Sequence, residues 1–424
     1  MKKSTRNFFS SLLSVKPALA LALILPLFFT SCDDQSSLIG PDQKSGVVES
    51  QISSKASSQQ PQNYIVVFHR NQVPGNQVGR AVSELARAHG IQPDFLYQHS
   101  ISGFAATLPD VRVQALMADR RVKSVTPDVE ISLFPGPAHH RPDHCGGPGN
   151  SCNDPDNGDD GEESNQVIPW GIERVGGPLE KSSNRAWIID TGIDLNHMDL
   201  NVNTNLGKNC VPRGRNTFND EQGHGTHVAG TIAAIDNNVD VVGVSESTEV
   251  VPVRVLDNSG SGQLSWIICG VDHVAGNFSK GDVANMSLGG RTTNTSLDDA
   301  VIAAADLGVL FSIASGNSGA DARDFTPART GGMHDNIYTI AAIDQNDQFT
   351  SWSNFGEPVS FVGPGVAILS TKRGGGTEEK TGTSMSAPHI AGLLLLDRLC
   401  FDGTVKGSDG ADYKIAYQCG DEVL

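Results

Sequence analysis

Ala186-Trp187-Ile188-Ile189-Asp190-Thr191-Gly192 decides the fold class. Successive bulky apolar residues do not suit a strand with one wet face; they suit a parallel strand buried on both sides. Asp190 ends the run, and Thr191-Gly192 turns the chain sharply after it. In open α/β sheets ligands lie beyond the carboxyl ends of the strands, so a carboxylate there can orient a partner side chain. Taken alone, it reads equally as a strand-end aspartate capping a turn. From about residue 167 strand-like and helix-like segments alternate around this run. The strands are Ala186–Asp190, Val250–Leu256, Val283–Leu288, Val309–Ala314 and Ile337–Ala342. The helices are Thr226–Ile235, Ser265–Phe278, Leu297–Asp306 and Ser384–Leu399. The expected architecture is α/β over 167–424, a mostly parallel sheet with helices on both faces.

Two more motifs carry chemistry. In Gly223-His-Gly-Thr-His-Val-Ala-Gly230, His224 stands between glycines just ahead of a helix. In Gly382-Thr-Ser-Met-Ser-Ala-Pro-His389, Ser384 opens a helix, where free N–H groups and the helix dipole favour negative charge. Pro388 is expected to be tolerated as part of the first turn. A serine hydroxyl is a weak nucleophile; it needs a base in hydrogen-bond reach, and the base needs a partner that fixes its orientation. His224 and Asp190 are the candidates, with His227 structural. Asn317, in Ala314-Ser-Gly-Asn-Ser-Gly319, offers a side-chain amide as a second donor to a developing oxyanion. Singly, a serine cap and a turn asparagine are the plain readings.

Upstream, residues 1–32 read as a targeting segment, with Lys2, Lys3 and Arg6 before an apolar run, 17–29, too short for a comfortable membrane span. Phe29-Thr30-Ser31-Cys32 resembles a bacterial lipoprotein lipobox with Phe in place of the usual Leu, which implies a lipid on Cys32; the other reading is an ordinary signal peptide. Both imply export. Residues 33–60, rich in Ser and Gln, read as a tether. Residues 61–134 read as a small βαββαβ, ferredoxin-like module. Its strands include Tyr64–Phe68, Ile101–Leu108 and Val122–Leu133. One helix carries Val78, Val82 and Leu85 and ends near Gly90; a second is capped by Asp110.

Residues 135–166 form an acidic linker with six carboxylates between Asn153 and Glu163. Neither that run nor His139, His140, His144, Cys145 and Cys152 matches a standard metal-ligand spacing, so no metal site is assigned. The six cysteines after Cys32 allow fifteen disulfide connectivities. Cys145–Cys152 and Cys400–Cys419 are the simplest local pairs, leaving Cys210–Cys269. The net charge of −17 over 424 residues argues against a nucleic-acid partner.

Together these motifs, with Asn285-Met-Ser-Leu-Gly-Gly290, Ser261-Gly262 and Phe361-Val-Gly-Pro-Gly365, resemble the subtilisin-like serine proteases, or subtilases, closest to the proteinase K-like branch. The order Asp, His, Ser is the subtilisin order. The resemblance spans Pro169 to Gly392 and implies a secreted endopeptidase. Asp190, His224 and Ser384 would be its triad, and Asn317 with the Ser384 N–H its oxyanion donors. It also implies that 61–134 is a propeptide, an inhibitor and folding template removed on activation. Substrate would add as a strand beside Gly262, Leu288, Gly289 and Gly290, with Ala314, Ser315 and Gly316 lining an apolar specificity pocket. No cofactor is required. A structural calcium ion fits the resemblance without an assigned site, because Ser360 stands where relatives often carry a calcium-serving Asp. Protein or peptide substrates, the chain's own propeptide and, through the lipid before maturation, a membrane are the implied partners. The expected location is the bacterial cell envelope, or the extracellular space after maturation. Two other readings stand beside it: a catalytically silent, surface-anchored binding lipoprotein, and a narrow processing enzyme or ligase. Only thirty-two residues follow Gly392, so the domain must close with a short hairpin after Gly403.

Overall fold

The computed structural model describes residues 61–136, 166–212 and 214–420. Cys32, Cys145, Cys152, the linker histidines and the acidic run lie outside them. Among the described residues no helix is long and apolar enough to cross a membrane.

Ala186–Asp190 lies inside a nine-stranded sheet, with Val250–Arg254 on one side and Val283–Met286 on the other, both parallel to it. Lys208–Asn209 extends the sheet beyond the first, and Leu310–Ala314, Ile337–Ile343 and Val359–Pro364 continue it beyond the second, all parallel. Asp412–Gln418 joins parallel and Leu399–Lys406 closes the edge antiparallel, forming a hairpin that begins at Leu399 rather than after Gly403 as expected. Helix His224–Ala233 packs with Thr383–Leu394, and Leu264–Asn277 packs with Ser296–Asp306. These pairs cover the two faces of the sheet, so Trp187, Ile188 and Ile189 are all fully buried. The last helix ends at Leu394 rather than at Leu399. Asp397 takes a left-handed conformation (φ 56°), which turns the chain into the edge strand.

The upstream module is a four-stranded antiparallel sheet in the order Pro93–Tyr97, Gly103–Leu108, Gln62–Phe68, Val122–Pro127. Helices Val78–His89 and Asp110–Met117 complete the βαββαβ pattern. Gly90 ends the first in left-handed geometry (φ 66°). Asp110 is the first residue of the second helix rather than its cap: Pro109 precedes it and no side-chain cap bond forms. Its charge still favours the helix N-terminus.

The continuous apolar run Ile65-Val66-Val67-Phe68 has a physical reason. Side chains alternate across a strand. Val66 and Phe68 pack with Val78, Val82 and Leu85 of the module's own helix. Ile65 and Val67 belong instead to the core of the large domain, together with Tyr97 and Ala105. The Tyr97 hydroxyl donates to the Ser265 carbonyl at 3.0 Å. Asp272 of the large domain accepts from the backbone N–H of His99 and of Ser100, both at 2.8 Å.

The expected strand Val122–Leu133 is two strands. Val122–Pro127 stays in the small sheet, and Glu130–Ser132 leaves it to pair antiparallel with Ser261–Gln263. Asp128 makes the break: its carboxylate accepts the N–H (2.9 Å) and the hydroxyl (2.6 Å) of Ser265 at the start of helix Leu264–Asn277, a donor-rich site.

Cys210–Cys269 and Cys400–Cys419 are disulfides, with sequence separations of 59 and 19. Loop closure predicts about 4 kcal/mol of stabilisation from the first and about 3 kcal/mol from the second. Replacing Cys210 and Cys269 by serine should therefore lower the melting temperature of a Ser384→Ala protein more than replacing Cys400 and Cys419. Thermal unfolding without reductant checks the ranking, and peptide mapping under non-reducing conditions checks the pairs.

Candidate active site

Asp190 and His224 meet where the sheet ends. Nδ1 of His224 lies 2.9 and 3.0 Å from the two carboxylate oxygens of Asp190. Both side chains are buried. The Thr191 N–H also donates to Asp190, at 2.7 Å. The helix carrying the histidine begins at His224, two residues before the expected start at Thr226. Asp220 accounts for the earlier start. Its carboxylate takes the N–H of Gly223 (2.8 Å), the N–H of Thr226 (3.0 Å) and the Thr226 hydroxyl (2.7 Å), capping the first turn. A Cβ on Gly225 would stand 2.1 Å from the Gly192 carbonyl oxygen, so only glycine lets helix and strand end approach this closely.

Ser384 is the second residue of helix Thr383–Leu394 and is buried. Its hydroxyl donates to the Ser287 carbonyl at 3.2 Å; among the described residues no hydrogen bond joins it to His224. Pro388 lies in the second turn, not the first, so the chain lacks the N–H that would bond the Ser384 carbonyl. The Ser287 hydroxyl fills that gap at 2.8 Å and is itself held by Asn285 Nδ2 at 2.9 Å. Asn317 stands opposite. Its Oδ1 accepts the N–H and the hydroxyl of Thr383, both at 2.9 Å, which turns Nδ2 toward the cleft. Neither Ser287 nor Thr383 was singled out from sequence, although both lie in the quoted motifs.

The cleft holds the chain's own residues 130–135. Ile131 pairs with Gly262, the Leu133 N–H donates to the Gly260 carbonyl (2.9 Å), and the Gly289 N–H donates to the Ser132 carbonyl (3.4 Å). Phe134 fills a slot built from absent side chains. A Cβ on Gly289 would lie 2.6 Å from Phe134 Cζ, and one on Gly316 would lie 3.1 Å from Cε1. The Phe325 ring stands 6.4 Å away, edge-on. Gly290 faces Ile131. Leu288 and Ala314 are fully buried in the same apolar cluster as Ile131 and Phe134, and the Ser315 hydroxyl is bound to the Asn354 carbonyl at 3.3 Å. Asn354 also donates to the Ser315 carbonyl at 2.8 Å and so fixes this wall. Nδ2 of Asn317 donates to the Pro135 carbonyl at 3.2 Å.

His227 faces away from the cleft, bonded through Nε2 to the carbonyls of Ile368 (3.0 Å) and Glu378 (3.1 Å). Burial lowers its pKa to about 3, and that of His389 to about 4.

A separate oxygen-rich cluster lies at the start of the large domain. The carbonyls of Ile235, Val239 and Val241 converge on the Gln166 side-chain amide at 2.6, 3.3 and 2.9 Å. Asp199 is fully buried beside them, and its Oδ1 has no hydrogen-bond partner. Burial pushes its pKa up to about 7. Three carbonyls around one amide beside an orphaned carboxylate oxygen form a donor set for a hard cation. Reversing the amide would aim its oxygen inward as well. Sequence reasoning missed this cluster because backbone carbonyls carry no residue identity.

Residues 187–398 match the Subtilase family, and residues 63–134 match Peptidase inhibitor I9. Alkaline serine exoprotease A of Vibrio alginolyticus is 35% identical over 353 residues, 78% of this chain and 60% of that protein. Subtilisin NAT of Bacillus subtilis subsp. natto is 39% identical over 240 residues, 54% of this chain and 61% of that protein. Alkaline elastase YaB of Bacillus sp. (strain YaB) is 33% identical over 353 residues, 81% of this chain and 82% of that protein. The chain thus spans about three fifths of the first two relatives and over four fifths of the third. A solved structure of a cold adapted subtilisin-like serine proteinase matches with a TM-score of 0.53 and 34% identity, covering 61% of this chain and all of that one.

The buried neutral histidines set a pH dependence. A histidine whose folded pKa lies below its unfolded value of about 6.5 contributes stability that is complete above that pH and lost as pH falls toward the folded value. His389→Gln, in a Ser384→Ala protein, should lose less stability than its parent between pH 6.5 and 4. The slopes should differ by about 1.4 kcal/mol per pH unit. Denaturant unfolding at a series of pH values measures this.

Proposed function

The chain belongs to the subtilase family, and on that premise we propose that it is an exported serine endopeptidase activated by removal of residues 61–134. The observation that carries this reading is the Asp190–His224 pair at the carboxyl edge of the sheet, with Ser384 at a helix N-terminus, Asn317 opposite and an extended segment lying across them.

In this reading the Ser384 hydroxyl turns from the Ser287 carbonyl to His224 Nε2 when substrate is seated, since catalytic hydrogen bonds often form only in the bound complex. Ser384 Oγ attacks the peptide carbonyl carbon while His224 takes its proton. Asp190 holds the imidazole by Nδ1–H and stabilises the imidazolium. The oxyanion is met by the Ser384 N–H and Asn317 Nδ2. His224 then protonates the leaving nitrogen, and water cleaves the acyl-enzyme by the same steps. Substrate pairs as an added strand with Gly262 and Gly289. The slot between Gly289 and Gly316, with Phe325 beyond it, favours an apolar or aromatic side chain before the cut. The motif wording puts the chain nearest the proteinase K-like branch. If Cys32 carries lipid, the anchor sits on the propeptide side and the cut releases the protease from the membrane.

The cluster of Ile235, Val239 and Val241 carbonyls, Gln166 and Asp199 is our candidate for a structural calcium ion. Its role there is to hold the loop 235–241 and neutralise Asp199 in its ionised form. Catalysis needs no cofactor in this scheme.

Phenylmethylsulfonyl fluoride should label Ser384, Ser384→Ala should be inactive and unprocessed, and a peptide library should be cut after apolar or aromatic residues. Asn317→Leu should lower kcat by about 10²–10³-fold, the effect such a donor has in subtilisin. A processed Ser384→Ala chain, or a profile dominated by Lys and Arg, would contradict the assignment. Calcium should stabilise Ser384→Ala after chelation by about 2.7 kcal/mol at a hundredfold excess over Kd, read as a higher melting temperature, and Asp199→Asn should abolish the response. In chelator the Asp199 contribution has the opposite sign to the histidines: complete below about pH 3.9, and lost as pH rises toward 7.

A further inference from the structure

The segment in the cleft ends in an unusual pair. Three main-chain contacts fix its register: Ile131 opposite Gly262, Leu133 to Gly260 and Ser132 to Gly289. They seat the Phe134 side chain in the slot between Gly289 and Gly316. In the protease reading, on which this inference rests, the bond presented for attack therefore joins Phe134 to Pro135.

We propose that Pro135 makes that bond refractory, so that residues 61–134 block the cleft as a substrate-like segment the site does not cut, and any maturation cut falls at another bond. Acylation would form the bond from Ser384 Oγ to the Phe134 carbonyl carbon and move the hydroxyl proton to His224. The bond from that carbon to the Pro135 nitrogen then breaks as the proton passes to nitrogen. In an ordinary peptide the nitrogen pyramidalises by moving only a hydrogen. In proline the ring carbon Cδ takes that hydrogen's place, φ is pinned near −65°, and the preceding residue is held extended. Presenting the nitrogen lone pair to the imidazolium must then swing Cδ through a cleft built to accept a hydrogen.

Two contacts fit an unproductive seat. Asn317 Nδ2 donates to the Pro135 carbonyl, one residue beyond the carbonyl it would have to stabilise. The Ser384 hydroxyl is bonded to the Ser287 carbonyl and not to His224. Affinity comes from the residues before the bond and resistance from the residue after it, so one segment can bind well and survive.

The test uses the full chain and two synthetic peptides. The active protein is incubated with Ile-Ser-Leu-Phe-Pro-Gly or Ile-Ser-Leu-Phe-Ala-Gly, and cleavage after Phe is followed by mass spectrometry. The alanine peptide should be cut about a hundredfold or more faster, the scale of well-placed proton transfer to the leaving group. The proline peptide should inhibit it competitively, with a Ki close to the alanine peptide's KM. In parallel, N-terminal sequencing of the wild-type chain should find no product beginning at Pro135, whereas P135A should yield a product beginning at position 135. Equal cleavage of the two peptides, or a wild-type product beginning at Pro135, overturns the proposal while leaving the protease reading intact. No cleavage of either peptide, with no labelling of Ser384, overturns the protease reading and this inference with it.

Discussion

The cleft depends on one close approach between two backbones. Gly225 in the first turn of a helix sits against the Gly192 carbonyl just past a strand, at a distance that any side chain would forbid. That contact brings the His224 ring to the buried carboxylate of Asp190. The strand cannot move, because Trp187, Ile188 and Ile189 are packed on both faces. The helix cannot slide, because Asp220 fixes its first turn. A buried carboxylate is costly unless it is hydrogen-bonded, and here the imidazole and the Thr191 N–H supply the partners.

The opposite wall follows the same logic with fewer charges. Pro388 removes one helical hydrogen bond, and the Ser287 hydroxyl restores the lost partner from the neighbouring strand end. The serine-bearing helix is thereby tied to the segment that borders residues 130–135. Thr383 does the same for Asn317, accepting the Gly316 N–H while donating to the asparagine oxygen. His224, Ser384 and Asn317 are thus each held by a neighbour in sequence or by a nearby strand end.

Much of this was legible in sequence, and the failures have causes. The apolar run before Asp190 reads as a doubly covered strand because only burial on both sides permits it. The helix starts at His224, two residues before the expected position, because Asp220, outside the quoted motif, caps its first turn. Pro388 was assigned to the first turn for want of a visible partner for the carbonyl it leaves bare. Phe134 read only as the last residue of the small module, just past its final strand. Its role depends on a break at Asp128 that only the start of a helix in the other domain explains. The pairing Cys210–Cys269 joins residues far apart in sequence, and local spacing alone could not select it. The carbonyl cluster around Gln166 was invisible because the atoms that make it belong to every residue.

The small sheet has two apolar faces and only one set of helices. Ile65, Val67 and Tyr97 are dry because the large domain lies against them. Detached, the module would present a flat greasy surface to water, with little of its own to fold over it. Such a fragment is prone to clumping and to digestion. A block built this way would be self-erasing, hard to dislodge while docked and short-lived once adrift.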